Sequence, residues 1–339
     1  MKRLVLFLLP VVLAISALVF TTATAQPIRA QVFVFSNSRP HITVIDGDTH
    51  QVLRTADIPQ MTSWTWNDDN NYFDGKHLWL GMRHPDTNDA EVVLLDLDTL
   101  QIAKRIPVGQ DRGGLFIGKP SRTGRLLVSK FQTGQLVAID IRTQAVVQTV
   151  DLPVSGGVAC DVEVAVGMDG RERTYVPTFG GNTVLSIDPT TLRVLDTLRA
   201  DGTRPWMVTA SPDGRRLWIQ EQNGASNSVV NAMTLQVVER VPAGMAPDTG
   251  TFSPDGKVHY TGHFTDAVVV ANDTETFREL WRTRVGSFTR ILGVHPTGRF
   301  VYAIASNEGA VGVLEAATGR LVTRITLGTN PSGLFVRRL

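Results

Sequence analysis

Seven times along this chain a largely apolar stretch runs into an acidic or amide residue with threonine three places further on. The pairs are Asp46/Thr49, Asp96/Thr99, Asp140/Thr143, Asp188/Thr191, Asn231/Thr234, Asp273/Thr276 and Glu315/Thr318. Successive first members lie 50, 44, 48, 43, 42 and 42 residues apart. That period matches one four-stranded propeller blade, a unit that cannot bury its own apolar faces and must stack on its neighbours.

Four short β segments recur within each unit. In the clearest one, Trp206 to Ala210 is the inner strand, Arg216 to Gln220 the second, Ser228 to Asn231 the third and Leu235 to Val241 the fourth. A tight turn, Ser211-Pro212-Asp213-Gly214, joins the first two, and it returns as Ser253-Pro254-Asp255-Gly256 and His295-Pro296-Thr297-Gly298. Weaker versions stand at Asp74-Gly75, Thr123-Gly124 and Asp169-Gly170. Proline presets φ in such a turn, aspartate accepts backbone N–H groups ahead of it, and glycine takes φ > 0. The Asp/Thr pairs read the same way, as hairpin caps rather than catalytic carboxylates.

Inner strands fall around Trp64, Phe116, Val164, Val208, Thr251, Leu292 and Leu334. The last ends the chain without partners of its own, whereas Gln31 to Phe35, His41 to Ile45 and Gln51 to Ala56 supply three strands that lack an inner one. The prediction is an all-β, seven-bladed β-propeller of four-stranded antiparallel blades whose termini share one blade, a closure that removes exposed sheet edges.

The repeat resembles the YVTN (YncE-like) β-propeller family. Val301-Tyr302-Ala303, Thr174-Tyr175-Val176, Val44-Ile45-Asp46 and Thr329-Asn330-Pro331-Ser332-Gly333 carry the likeness. It also looks like the haem-d1-binding propeller of nitrite reductase and the heavy subunits of quinoprotein amine dehydrogenases. The resemblance implies a fold and leaves the chemistry open.

Lys2 and Arg3 precede an apolar run from Leu4 to Phe20, and an Ala-x-Ala ending at Ala25 precedes Gln26. Residues 1–25 read as a secretory signal peptide, with 26–339 as the propeller and a periplasmic or secreted destination; the competing reading is a retained anchor. Without Lys2 and Arg3 the chain has 31 basic against 32 acidic side chains, which favours neither nucleic acid nor stable membrane insertion. Cys160 is the sole cysteine, so no intramolecular disulfide forms and an inert buried thiol is expected.

Several motifs fail on their own chemistry. Gly113 to Lys119 mimics a phosphate loop, but Pro120 replaces the metal-binding hydroxyl and Leu115-Phe116-Ile117 is an inner strand. No Cys-x-x-Cys-His, Gly-x-Ser-x-Gly or zinc signature is present. His259 and His263 are too far apart on one strand to hold a metal together. Asn67 to Asn71 with Asp74 reads as a solvated turn rather than a calcium loop. His41, His84 and His263 fall at or just after the ends of second strands, on one rim, as weak candidates for a metal or haem axial ligand.

The loops entering the inner strands converge on one channel mouth and carry Arg112, Asp161, Arg204, Trp206, Asp248 and Arg290. Two readings stand side by side: a ring of ion pairs that closes the channel, or a funnel for an anionic or zwitterionic small molecule with Trp206 as a stacking wall. The expected role is an exported binding or interaction scaffold with no evident catalytic set, no cofactor and an unnamed ligand or protein partner. The alternatives are a redox or cofactor-associated protein binding haem d1 or serving a quinoprotein dehydrogenase, and a lactonase-like hydrolase.

Overall fold

The computed structural model describes residues 28–36, 40–58, 71–84, 86–154, 159–200 and 204–339. The expected inner strand at Trp64, the segment Asn67 to Asn70 and the signal peptide lie outside the described residues. Among those described, strands form seven antiparallel sheets, six of four strands and one of three, the last being the blade whose inner strand was placed at Trp64. The chain is an all-β, seven-bladed propeller. No helix among the described residues is long and apolar enough to cross a membrane.

Blades are numbered here from the one that contains both termini. Its order is Pro331–Arg338, Ala30–Ser36, His41–Asp46, Val52–Asp57. Val32 faces Val336, Phe33 faces Phe335 and Val34 faces Leu334, so the shared blade forms as expected. Blade 5 comprises Pro205–Ala210, Arg216–Glu221, Ser226–Asn231 and Val237–Pro242. Its fourth strand starts two residues later than the pattern suggested, because Leu235 has φ 54° and belongs to the turn.

That left-handed residue recurs four places after every anchor: His50, Leu100, Gln144, Leu192, Leu235, Phe277 and Gly319. Around it the anchor carboxylate accepts backbone N–H groups two and three residues ahead, as Asp96 does from Asp98 and Thr99, both at 2.9 Å. These bonds hold Asp96 down at about 2 and lower Asp188 and Asp273 as well. The Ser-Pro-Asp-Gly turns close similarly: Ser211 Oγ donates to Asp213 Oδ1 at 2.6 Å and accepts the Arg216 N–H at 3.0 Å. In blade 7 His295 takes the serine's place, its Nδ1 accepting the Thr297 N–H at 3.2 Å.

The carbonyl just after the anchor receives a donor from the preceding blade. Arg54 donates to Leu97, Tyr175 to Ala232, Trp281 to Ala316 and Tyr302 to Gly47, at 2.6 to 3.0 Å, and Arg216 donates to Thr274. The turn thus caps its own hairpin and clasps the neighbouring sheet.

Hydrocarbon fills the seams between blades. Leu78, Leu80, Val93 and Leu95 of blade 2 pack on Phe33, Phe35, Ile42 and Val44 of blade 1. Six of the seven seams hold nine or more fully packed apolar residues each, and the seam between blades 5 and 6 has three. At roughly 25 cal/mol per Å² of apolar surface removed from water, these seams are the main stabilising term.

Removing Ser332 to Leu339 takes away the inner strand of the shared blade and uncovers the edge of Ala30–Ser36. The truncated protein is expected to lose the single cooperative thermal transition by calorimetry, and a retained full transition would refute this.

Stability should also fall early in acid. Burial lowers His259 to about 3 and His263 to about 4, and lowers His50 and His295. A depressed folded pKa means that the unfolded chain binds protons first. The stabilisation is complete above the ordinary histidine value of about 6.5 and drains away as pH falls toward 3, where the anchor carboxylates add their own loss. A melting temperature that stays flat from pH 7 down to 4.5 contradicts this.

Candidate functional site

The loops at the channel mouth share one backbone device. Gly114, Asp161, Arg204, Ala246 and Phe288 all have positive φ, between 47° and 121°, immediately ahead of an inner strand. The residue following the second strand then donates its N–H to that carbonyl: Phe131 to Gly114, Gln222 to Arg204, Phe264 to Ala246 and Ser306 to Phe288, at 3.0 to 3.3 Å. Since Ala246 and Phe288 do this as readily as Asp161 and Arg204, the left-handed turn is architectural. It aims the chain into the channel wall.

The structure brings five of the six expected mouth residues together around Cys160 and Phe179. Arg290, 6% exposed, donates from Nε to Asp248 Oδ2 at 3.0 Å, and Asp248 is wholly buried. The Arg290 guanidinium also lies over the rings of Phe264 and Phe288, at 5.6 and 5.8 Å. Asp161, from blade 4, is buried and uses both oxygens on backbone, Oδ1 on the Val162 N–H at 2.7 Å and Oδ2 on the Val208 N–H of blade 5 at 2.9 Å. That second bond covers part of the unpaired edge of an inner strand. Between these carboxylates lies Cys160, buried as expected, whose thiol is pushed well above its ordinary range by burial and further by Asp161 and Asp248. It is a protonated thiol and no nucleophile.

Trp206 packs beside Cys160 in an aromatic knot, edge-on to Phe116, Phe131 and Phe179 at 6.1, 5.7 and 5.5 Å. With 7% of its surface exposed it is mostly enclosed, so it braces the mouth more than it forms an open wall. Arg204 joins the group through its guanidinium, 5.0 Å above the Phe179 ring, and is exposed. Arg112 is exposed, donates its backbone N–H to Gln132 Oε1 at 3.1 Å and stands apart from the other five.

Sequence reasoning missed Asp111, which is 2% exposed. Its Oδ1 accepts from the Gly113 and Gly114 N–H groups, and its Oδ2 from the Gln132 and Thr133 N–H groups and the Thr133 hydroxyl. This one carboxylate ties the loop entering blade 3 to the next loop on the same rim. The Asp-x-Gly-Gly run at 111–114 is the local signal that could have found it. The phosphate-loop mimic is indeed a strand, Leu115–Pro120, and Lys119 pairs with Glu163 at 3.8 Å.

The three rim histidines have separate surroundings. His41 Nδ1 meets Asp57 Oδ1 at 2.7 Å, His84 Nδ1 accepts the Asp86 and Thr87 N–H groups, and His263 is fully buried in blade 6. Among the described residues no three His, Cys, Asp or Glu side chains are grouped to hold a metal ion.

Truncating Arg290 to alanine leaves Asp248 charged, buried and unpaired. The expected cost is about 3–5 kcal/mol, with a matching fall in melting temperature, and Arg290→Met with Asp248→Asn should recover most of it. An unchanged melting temperature for Arg290→Ala removes the pair from the list of structural supports.

Neither a protein-family model nor a curated protein sequence matches the chain. Solved structures do. The periplasmic gluconolactonase of Pseudomonas aeruginosa superposes with TM-score 0.72 at 18% identity, covering 92% of this chain and 99% of its own. A putative 6-phosphogluconolactonase from Bacteroides fragilis gives 0.69 at 13%, covering 92% and 98%. A dihydro-heme d1 dehydrogenase gives 0.60 at 17%, covering 90% and 74%. At these identities the likeness is one of fold: this chain is built as those seven-bladed propellers are.

Proposed function

We propose that this is an exported propeller of the YVTN-like kind that binds a small polar molecule at the channel mouth. The observation that carries the reading is the burial of three charged residues from three blades near Cys160, Asp248 bonded to Arg290 and both Asp161 and Asp248 acting on the thiol. Burying three charges is costly, and a seam filled with hydrocarbon would hold the ring more cheaply. Arg204 and Arg112 stand exposed on the same rim and suit an anionic group of the ligand. Export is supported by Lys2-Arg3, the apolar run and the Ala-x-Ala ending at Ala25.

Lactone hydrolysis is the second reading, favoured by one atom. Asp248 Oδ1 is buried and accepts no hydrogen bond, which leaves a carboxylate oxygen able to take a proton from water or a ligand hydroxyl. The fold neighbours include proteins described as gluconolactonases. Haem d1 is poorly served by the histidines here. His41 and His263 are closed off by burial, and the two N–H groups that His84 Nδ1 accepts keep its proton on Nε2.

Native mass spectrometry of protein purified from its own cell envelope tests the binding reading. A small-molecule adduct is expected, weakened by Arg204→Ala while the melting temperature stays put; adduct-free protein from that source counts against it. For the second reading, acid release from glucono-lactone should drop at least about 100-fold in Asp248→Asn, the usual scale for a lost general base. Absence of any turnover by the unsubstituted protein ends that reading.

A further inference from the structure

The seam between blades 5 and 6 differs in kind from the other six. Five polar side chains that face it, Gln220 and Asn227 from blade 5 and His259, Thr261 and Asn272 from blade 6, are all fully buried. Aligned on the anchors, Asn227 and Thr261 occupy positions that carry only apolar residues in the other blades. The position of His259 is valine or leucine in five of the other six, and no other blade has a long polar side chain where Gln220 stands. This substitution is why the apolar cluster at this seam shrinks to Trp218, Val229 and Val241, with Phe252 and Phe277 against it.

Three of them are bonded in series. Asn227 Nδ2 donates to Thr261 Oγ1 at 3.0 Å, and Thr261 Oγ1 lies 3.2 Å from His259 Nδ1. The threonine hydroxyl accepts from Asn227 and keeps its proton and a second lone pair for the contact with Nδ1, so it bridges the amide and the ring. Burial keeps this ring neutral, at about 3. His259 Nε2 and the end of the Gln220 amide both lie 2.5 Å from the point where a Cβ on Gly250 would stand, which sets them face to face. The Gln220 amide itself donates from Nε2 to the Trp218 carbonyl of its own blade at 3.5 Å, so it lies beside the histidine without bonding to it. Gln220 and Asn227 are themselves cross-strand partners, so the relay leaves blade 5 at Asn227, crosses to blade 6 and ends at the ring that Gln220 flanks.

We infer that this relay is a pairing address that tells blade 5 which neighbour to pack against. Hydrocarbon is non-directional, and six seams of similar apolar residues would accept one another's blades during folding, the failure to which repeat proteins are prone. Docked on any other blade, Asn227 would be buried against apolar side chains without its Thr261 partner, at about 1–3 kcal/mol for the unpaired amide. A buried polar residue that fixes register at some expense of stability has the same logic in coiled coils. The inference stands apart from the channel-mouth reading and survives its failure.

Three variants of the mature chain test it: Gln220→Ile with Asn227→Val, His259→Leu with Thr261→Val, and all four together. Each two-residue variant strands its partners and should melt lower than the unsubstituted protein. The four-residue variant should regain the original melting temperature or exceed it, yet after dilution from denaturant yield at least twofold less native monomer. Losses that merely add across the two pairs would show no recognition between the blades and overturn the inference. So would a four-residue variant that refolds as fully as the original, or one too unstable to fold.

Discussion

The ladder between Ala30–Ser36 and Pro331–Arg338 is the contact on which the ring depends. Every other blade is assembled from consecutive strands, so its contacts are local and form early. This one joins residues about 300 positions apart, and its entropic cost of closure is met by hydrocarbon on both faces of the shared blade. Once it forms, each blade has a neighbour on either side and all seven seams can be dry at the same time.

Closure also sets the chemistry of the channel mouth. Inner strands crowd as they approach the axis, and their unpaired edges meet there. Asp161 answers one such edge by bonding the Val208 N–H, and Thr209 reaches the Gly250 carbonyl of the next blade at 3.0 Å. The same crowding excludes side chains at some points: a Cβ on Gly118 would stand 2.6 Å from the Val162 carbonyl. Asp248 and Arg290 are drawn together by this geometry from blades 6 and 7, although 42 residues separate them. The mouth is therefore a by-product of ring closure that charged residues occupy.

Much of the fold was legible before any coordinates. The anchors, the Ser-Pro-Asp-Gly turns and the unmatched terminal strands each have a local chemical cause, and the structure shows those causes as hydrogen bonds. The mouth was legible only as a set of loops. Spacing placed Asp248 and Arg290 on one rim; it could not say that they touch, that Asp161 has both oxygens on backbone, or that Trp206 is enclosed by three phenylalanines. Asp111 passed unnoticed because its five partners come from two loops.

The sequence by itself determined blade number, strand order, turn type and the joining of the two ends, because periodicity, turn residues and hydrophobic alternation act over a few neighbouring positions. Which side chains meet across a seam, which carboxylate keeps an oxygen without a partner and where polar groups replace hydrocarbon were decided only by the tertiary structure. Those outcomes depend on distances between blades, and such distances exist only after the ring has closed.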